Sequence, residues 1–189
     1  EDVKESYKII INTEQVTLSK LKKTIFRIGT IRLLLVLACI ALCYAMWYNT
    51  AIVIGVVGLS IIIYLVLMKY HDKLFSQKRY SELIIQNAEN ELQAIDYNFS
   101  AFDGAPEKID ADHSYVMDLD LFGNKSFFQA LNRTVTPLGK EELANSLLFP
   151  MEKKDEITDQ QYAIKELSRK TDLLNHFRAI GMMTDTEGL

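Results

Sequence analysis

The sequence predicts a mainly α-helical chain: a two-helix transmembrane hairpin with long flanking helices, followed by a further group of helices. Three observations predict it. From Leu33 to Met68, 36 residues pass without a formal charge, interrupted once by Asn49-Thr50. Lys and Arg crowd both ends of that run and are absent from its middle. Elsewhere, apolar residues recur at helical spacing, with Pro and Gly as punctuation. Over all 189 residues the composition is ordinary, 49% hydrophobic and 24% charged with net charge -4. The halves differ: residues 1–80 hold 11 Lys+Arg against 5 Asp+Glu, and residues 81–189 hold 10 against 20. A net +6 joined to a net -10 suits two different environments.

The first element, residues 1–29, is expected to be a membrane-proximal helix with Tyr7, Ile10, Ile11, Leu18, Leu21 and Ile25 on one face. The hairpin follows over 30–69. Its apolar runs, Leu33–Tyr48 and Ala51–Met68, hold 16 and 18 residues. At about 1.5 Å per residue they reach roughly 24 and 27 Å, short of a ~30 Å hydrocarbon core. Starting the first span near Ile28, with Arg32 snorkelling to the headgroups, closes the gap. A secretory signal would show one short apolar stretch rather than two consecutive ones. Lys20, Lys22, Lys23, Arg27 and Arg32 precede the hairpin, and Lys69, Lys73, Lys78 and Arg79 follow it, opposed only by Asp72. The Trp47-Tyr48-Asn49-Thr50 loop is uncharged. Positive flanks stay inside, so both ends are expected in the cytoplasm, at an inner (cytoplasmic) membrane, with membrane lipid as a partner. Trp47 and Tyr48 suit the far interface and Tyr70 the near one. Ala41-x-x-x-Ala45 and Gly55-x-x-Gly58 offer small surfaces for close helix approach. Cys39 and Cys43, one turn apart, are poorly placed for a disulfide and are expected to pack as small apolar residues.

Residues 70–98 predict a second membrane-proximal helix, with Leu83, Ile84, Ala88, Leu92 and Ile95 on one stripe. Pairing of this helix with the first would form a coiled stalk. Residues 99–125 read as an ordered acidic loop, punctuated by Gly104, Pro106 and Gly123. Its Asp110, Asp112 and His113 match no metal motif: calcium-loop frames begun at Asp110 or Asp118 lack the required Gly or Glu, so no metal ligand is assigned. Ser126–Asn132 predicts a short helix that packs through Phe127, Phe128 and Leu131. Thr136 as N-cap and Pro137 at the first position start another, ending by Phe149 before Pro150. A single long helix is expected over 155–180, with Ile157, Ile164, Leu167, Leu174 and Phe177 as its apolar stripe.

Several chemistries are missing from the sequence. Gly139-Lys140-Glu141 and Gly123-Asn124-Lys125-Ser126 do not complete a phosphate-binding loop. His71, His113 and His176 have no nucleophile–base spacing, and no zinc spacing occurs. The acidic second half opposes a phosphate backbone. No catalytic, cofactor-binding or metal residue is therefore assigned.

Residues 113–167 carry a pattern of their own. His113-Ser-Tyr-Val-Met-Asp-Leu-Asp-Leu-Phe-Gly123 leads through Ser126-Phe-Phe to Leu131-Asn-Arg-Thr134. Thr136-Pro-Leu-Gly139, Leu143-Ala144, Leu147-Leu148 and Pro150 follow, then Ile157, Gln161, Ala163-Ile164 and Glu166-Leu167. This resembles the start of the helical core, or lever, of MutS-family mismatch-repair ATPases, and more narrowly a membrane-anchored branch of Bacteroides type. Arg133 and Thr134 are its most specific marks; Gln160 stands where the family has Arg. On this resemblance residues 126–189 begin an incomplete MutS-like core, and the chain, which starts at Glu1, is expected to be the N-terminal part of a longer protein. The parent is implied to bind ATP with Mg, to form a homodimer through its other parts, and to act on mismatched or structured DNA. The alternative is a two-span membrane scaffold that recruits a cytoplasmic partner without nucleotide or DNA.

Overall fold

The computed structural model describes residues 3–110 and 113–187. Six α-helices carry it: α1 Val3–Ala45, α2 Thr50–Ile95, α3 Phe127–Leu131, α4 Pro137–Leu148, α5 Lys154–Leu167 and α6 Thr171–Glu187, with a 3-10 turn at Pro106–Lys108. No strand occurs among the described residues, so the fold is mainly α with a two-helix hairpin, as expected. The chain divides into two compact units. The hairpin unit is Thr13–Glu82; the core unit runs from Leu83 onward and includes the first turns of α1 up to Asn12.

Each hairpin helix continues without a break into its membrane-proximal neighbour. α1 has 43 residues and α2 has 46. At about 1.5 Å per residue each exceeds twice the ~30 Å thickness of a bilayer core. Nothing between Leu33 and Ala45, or between Ala51 and Ile95, stops a helix: no Pro occurs, and Gly55 and Gly58 are tolerated inside it. The uncharged run breaks where the expected turn falls. Asn49 caps α2, its Oδ1 accepting from Ile52 N and its carbonyl from Val53 N.

In the hairpin unit, Ile28, Arg32, Leu35, Cys39 and Cys43 of α1 form a half-buried to buried seam, and Val53, Val56, Ser60, Tyr64 and Leu67 form the matching one on α2. Both repeat every three or four residues, the spacing of one helix face. The small-residue motifs do not make this contact. Ala41, Ala45, Gly55 and Gly58 are exposed, and a Cβ added at either glycine would meet nothing within 4 Å. Cys39, Cys43 and Ser60 supply the small seam positions instead; both cysteines are free thiols.

In the core unit, Leu83, Ile84 and Ala88 of the expected α2 stripe are buried, and Leu92 and Ile95 are half-buried. Lys4 on α1 pairs with Asp96 just beyond α2, which joins the start of α1 to the end of α2. The acidic loop proves to hold the centre of a core: Ala105, Val116, Leu121 and Phe122 pack with Phe128 of α3 and Ala144 of α4. Gly123 N donates to the Gly104 carbonyl at 2.7 Å, and a Cβ on Gly104 would collide with the Gly123 carbonyl. Gly123 itself has φ +105°, a left-handed conformation that favours glycine.

Three expectations need correction here. In α3 only Phe128 of the three packing residues is buried; Phe127 and Leu131 are exposed, because a five-residue helix offers one narrow face to the core. The helix expected over 155–180 is two helices. At Ser168–Lys170 the i→i−4 ladder gives way to tighter closure, Arg169 N to the Glu166 carbonyl and Lys170 N to that of Leu167. The Ser168 hydroxyl also donates to the Lys165 carbonyl, competing with the ladder. Finally, Ile157, Ile164, Leu167, Leu174 and Phe177 are all exposed, so the stripe is real in spacing but uncovered. α4 matches expectation at both ends, with the Thr136 hydroxyl accepting from Gly139 N.

Candidate functional site

Two arrangements could carry function, one in each unit. In the hairpin unit it is the apolar surface. Both α1 and α2 are long and apolar enough to cross a membrane, and no residue from Thr50 to Tyr70 is buried. A helix buried in a soluble core would have its apolar residues covered. Arg32 closes the uncharged run of α1, and its Nη2 donates to the Tyr64 hydroxyl at 2.6 Å, with Cζ 4.6 Å from the ring centroid. Trp47 and Tyr48 are exposed at the turn, where an aromatic belt would meet headgroups.

In the core unit, a carboxylate clasp gathers three segments. Glu91 on α2 accepts through Oε1 from Arg133 Nε at 2.7 Å and from Arg178 Nη1 of α6 at 2.6 Å. Glu91 and Arg178 side chains are only 12% and 13% exposed, so these bonds are poorly screened. Burial pushes the Tyr7 hydroxyl pKa above its ordinary value; Glu91 adds to the rise, while Arg178 and Arg133 oppose it.

The Asn132-Arg133-Thr134 turn explains how Arg133 is aimed. The Asn132 side chain accepts from Thr134 N and the Thr134 hydroxyl, and its amide donates to the Asp103 carbonyl. Arg133 Nη1 donates to the Ala130 and Asn132 carbonyls, and its guanidinium lies 3.7 Å from the Phe102 ring centroid. Charge, stacking and main-chain bonds thus fix one rotamer. Val135 then seats α6: a Cβ on Gly181 would collide with its side chain. Arg133, Thr134, Val135, Thr136 and Arg178 line two open grooves of about 480 and 610 Å³.

Beside the clasp, Lys140 bonds Asp103 and Glu107. Its ammonium, through hydrogen bonds above all, holds both carboxyls below their usual pKa, and they raise its own in return. Gly139 N donates to the Thr136 hydroxyl, and Lys140 bonds two carboxylates. Among the described residues no three His, Cys, Asp or Glu side chains gather as a metal site would need. Asp112 lies outside the described residues; His113 packs edge-on against Tyr115, whose hydroxyl reaches the Leu147 and Leu148 carbonyls. The arrangement is chemically a joint: its polar groups hold segments together.

No protein-family model, curated protein or solved structure matches this chain.

Of the residues singled out in the sequence, the structure brings Arg133 into the clasp and Thr134 into the turn that aims it. Gln160 is exposed on α5. Sequence reasoning misses Arg178, which is separated from Glu91 by 87 positions. A signal in the sequence is its place in α6 at i+4 from Leu174 and i−4 from Met182, a charge on an otherwise apolar line of one helix face.

Proposed function

We propose that this chain is the membrane-anchored N-terminal part of a MutS-like ATPase: a hairpin anchor in the inner membrane, both ends cytoplasmic, leading into the first helices of the lever. ATP with Mg, homodimer contacts and DNA belong to other parts of that parent. The cytoplasmic orientation rests on the cations flanking the uncharged run. What chiefly supports the lever reading is the clasp. Of the two residues most specific to the MutS resemblance, Arg133 ties the α3–α4 turn to α2 and Thr134 closes that turn on Asn132, while Arg178 ties α6 to the same carboxylate. In this reading a displacement of α6 reaches Glu91 through Arg178, and α2 is the helix that begins in the apolar hairpin.

The test is the complete product of the gene that encodes this chain. It should contain a Gly-rich phosphate loop downstream and hydrolyse ATP with Mg when purified in detergent. A reading frame without such a loop, or a complete product that neither binds nor hydrolyses ATP, overturns the proposal.

One observation favours the scaffold alternative. Ile157, Ile164 and Leu167 leave α5 with an uncovered apolar face on a helix that has no buried residue. Such a face suits a partner helix laid along it. A complete gene product without nucleotide activity that retains a cytoplasmic protein through α5 would favour this reading.

A further inference from the structure

We propose that Arg32 and Tyr64 form a headgroup site for the phosphodiester of an anionic phospholipid at the edge of the hairpin. The inference rests on the membrane-hairpin reading and goes beyond it, because anchoring alone needs no lipid preference.

Between Glu14 and Asp72 the chain has no Asp or Glu, yet it carries Lys20, Lys22, Lys23, Arg27, Arg32 and Lys69. In the hairpin unit the ion pair formed is Lys78 with Glu82, at its far end. Asp72, the nearest acid along α2, lies eight residues from Tyr64, about 12 Å along the helix. Arg32 is the last charge before the uncharged run, so in a bilayer it stands where hydrocarbon meets headgroups. A guanidinium there has five N–H donors and needs an anionic acceptor. The protein supplies one neutral oxygen, the Tyr64 hydroxyl at 2.6 Å from Nη2. The remaining donors suit the paired oxygens of a phosphodiester, which guanidinium binds in bidentate fashion.

Tyr64 gives the site its definition. Its ring lies 4.6 Å from the Arg32 Cζ, so both the face and the hydroxyl hold the guanidinium. A side chain that would otherwise sample many rotamers is ordered before lipid arrives, and less entropy is lost on binding. Arg27 and Lys69 raise the local positive potential, which favours lipids of net negative charge over zwitterionic ones.

The experiment reconstitutes the full chain in vesicles of phosphatidylglycerol and phosphatidylcholine in equal parts, then reads retained lipid by native mass spectrometry. The wild type should retain phosphatidylglycerol in preference. Arg32→Gln should lower that retention about five-fold, the size expected for one basic residue at an anionic surface. Arg32→Lys should fall between, keeping charge but losing the bidentate fork, and Tyr64→Phe should lower retention by a smaller factor. Unchanged retention in Arg32→Gln, or equal retention of both lipids by the wild type, overturns the site. Displacement of the lipid by millimolar inorganic phosphate also overturns it, since the site would then serve free phosphate. Carbonate washing separates the two readings. Arg32→Gln that stays in the membrane pellet with unchanged retention removes the site alone, whereas wild type released to the aqueous fraction removes the hairpin and the site together.

Discussion

On one helix, α2, Leu59, Ile62 and Val66 point outward at 61–63% exposure, while Leu83, a few turns later, is fully buried. The first three belong to the hairpin unit and the last to the core unit. A soluble protein can leave single apolar side chains exposed, but not a continuous apolar surface on both helices of a hairpin. The two units thus dispose of apolar surface in opposite ways. In the core unit apolar atoms leave water by packing on Phe128, Val116 and Ala144. In the hairpin unit only a narrow seam is internal, and both helices are long and apolar enough to cross a bilayer. The same contrast holds for charge: the core unit pairs Glu91 with two guanidinium groups, whereas among the described residues Arg32 meets the neutral Tyr64 hydroxyl.

The comparison can be broken most forcefully at the core. Phe128→Ala removes a fully buried ring and should destabilise the core unit by about 3–5 kcal/mol. Thermal unfolding in detergent would show a lowered midpoint, while carbonate resistance of the membrane fraction stays unchanged. If the two change together, the units do not answer to separate solvents. The converse substitution is Leu59→Arg, which should cost roughly 2.5–3.5 kcal/mol of insertion at mid-bilayer. Leu138→Arg, at a still more exposed position of the core unit, should stay within about 0.5 kcal/mol. A glycosylation-based insertion assay reads the first and thermal unfolding the second.

Glu91→Ala sharpens the comparison at the clasp. It leaves two guanidinium groups without their shared carboxylate and should cost about 2–3 kcal/mol, somewhat less than a fully buried pair because 12% of the side chain remains exposed. A double-mutant cycle of Arg133→Ala and Arg178→Ala should be non-additive, since both act on one oxygen. The smallest effect is at Lys140. Asp103 and Glu107 have lowered pKa values, so their contribution is present above the ordinary carboxylate range and lost as pH falls through the lowered values. Lys140 has a raised pKa, so its contribution is present below its ordinary value and lost as pH rises through the raised one. Lys140→Met should flatten both limbs of a stability–pH curve. The change should be slight, because both carboxylates are half exposed.

What can be read in the sequence depends on how local the cause is. The uncharged run, the Asn49 turn, the Thr136-Pro137 start and the stop before Pro150 are set by neighbouring residues, and each stands where those residues place it. The break at Ser168–Lys170 is hidden because neither Gly nor Pro marks it; a serine hydroxyl and a tightened turn produce it. The acidic loop reads as surface because its aspartates dominate, yet Val116, Leu121 and Phe122 between them form core through contacts with α3 and α4. At the clasp, Arg133 and Thr134 are visible as a motif, and partnership of Arg133 with a helix carboxylate is foreseeable in kind. Its identity as Glu91, and the arrival of Arg178, are tertiary facts that spacing along the chain does not encode.

The account turns on whether residues 33–68 cross a bilayer with their turn on the far side. Cysteine labelling measures this directly. Asn49→Cys and Ser76→Cys are placed singly in a Cys39→Ala, Cys43→Ala background and exposed to a membrane-impermeant maleimide in right-side-out and inverted vesicles. Residue 49 should label only in the right-side-out preparation and residue 76 only in the inverted one. Labelling of both from one side, or recovery of the chain in the aqueous fraction, would contradict the account.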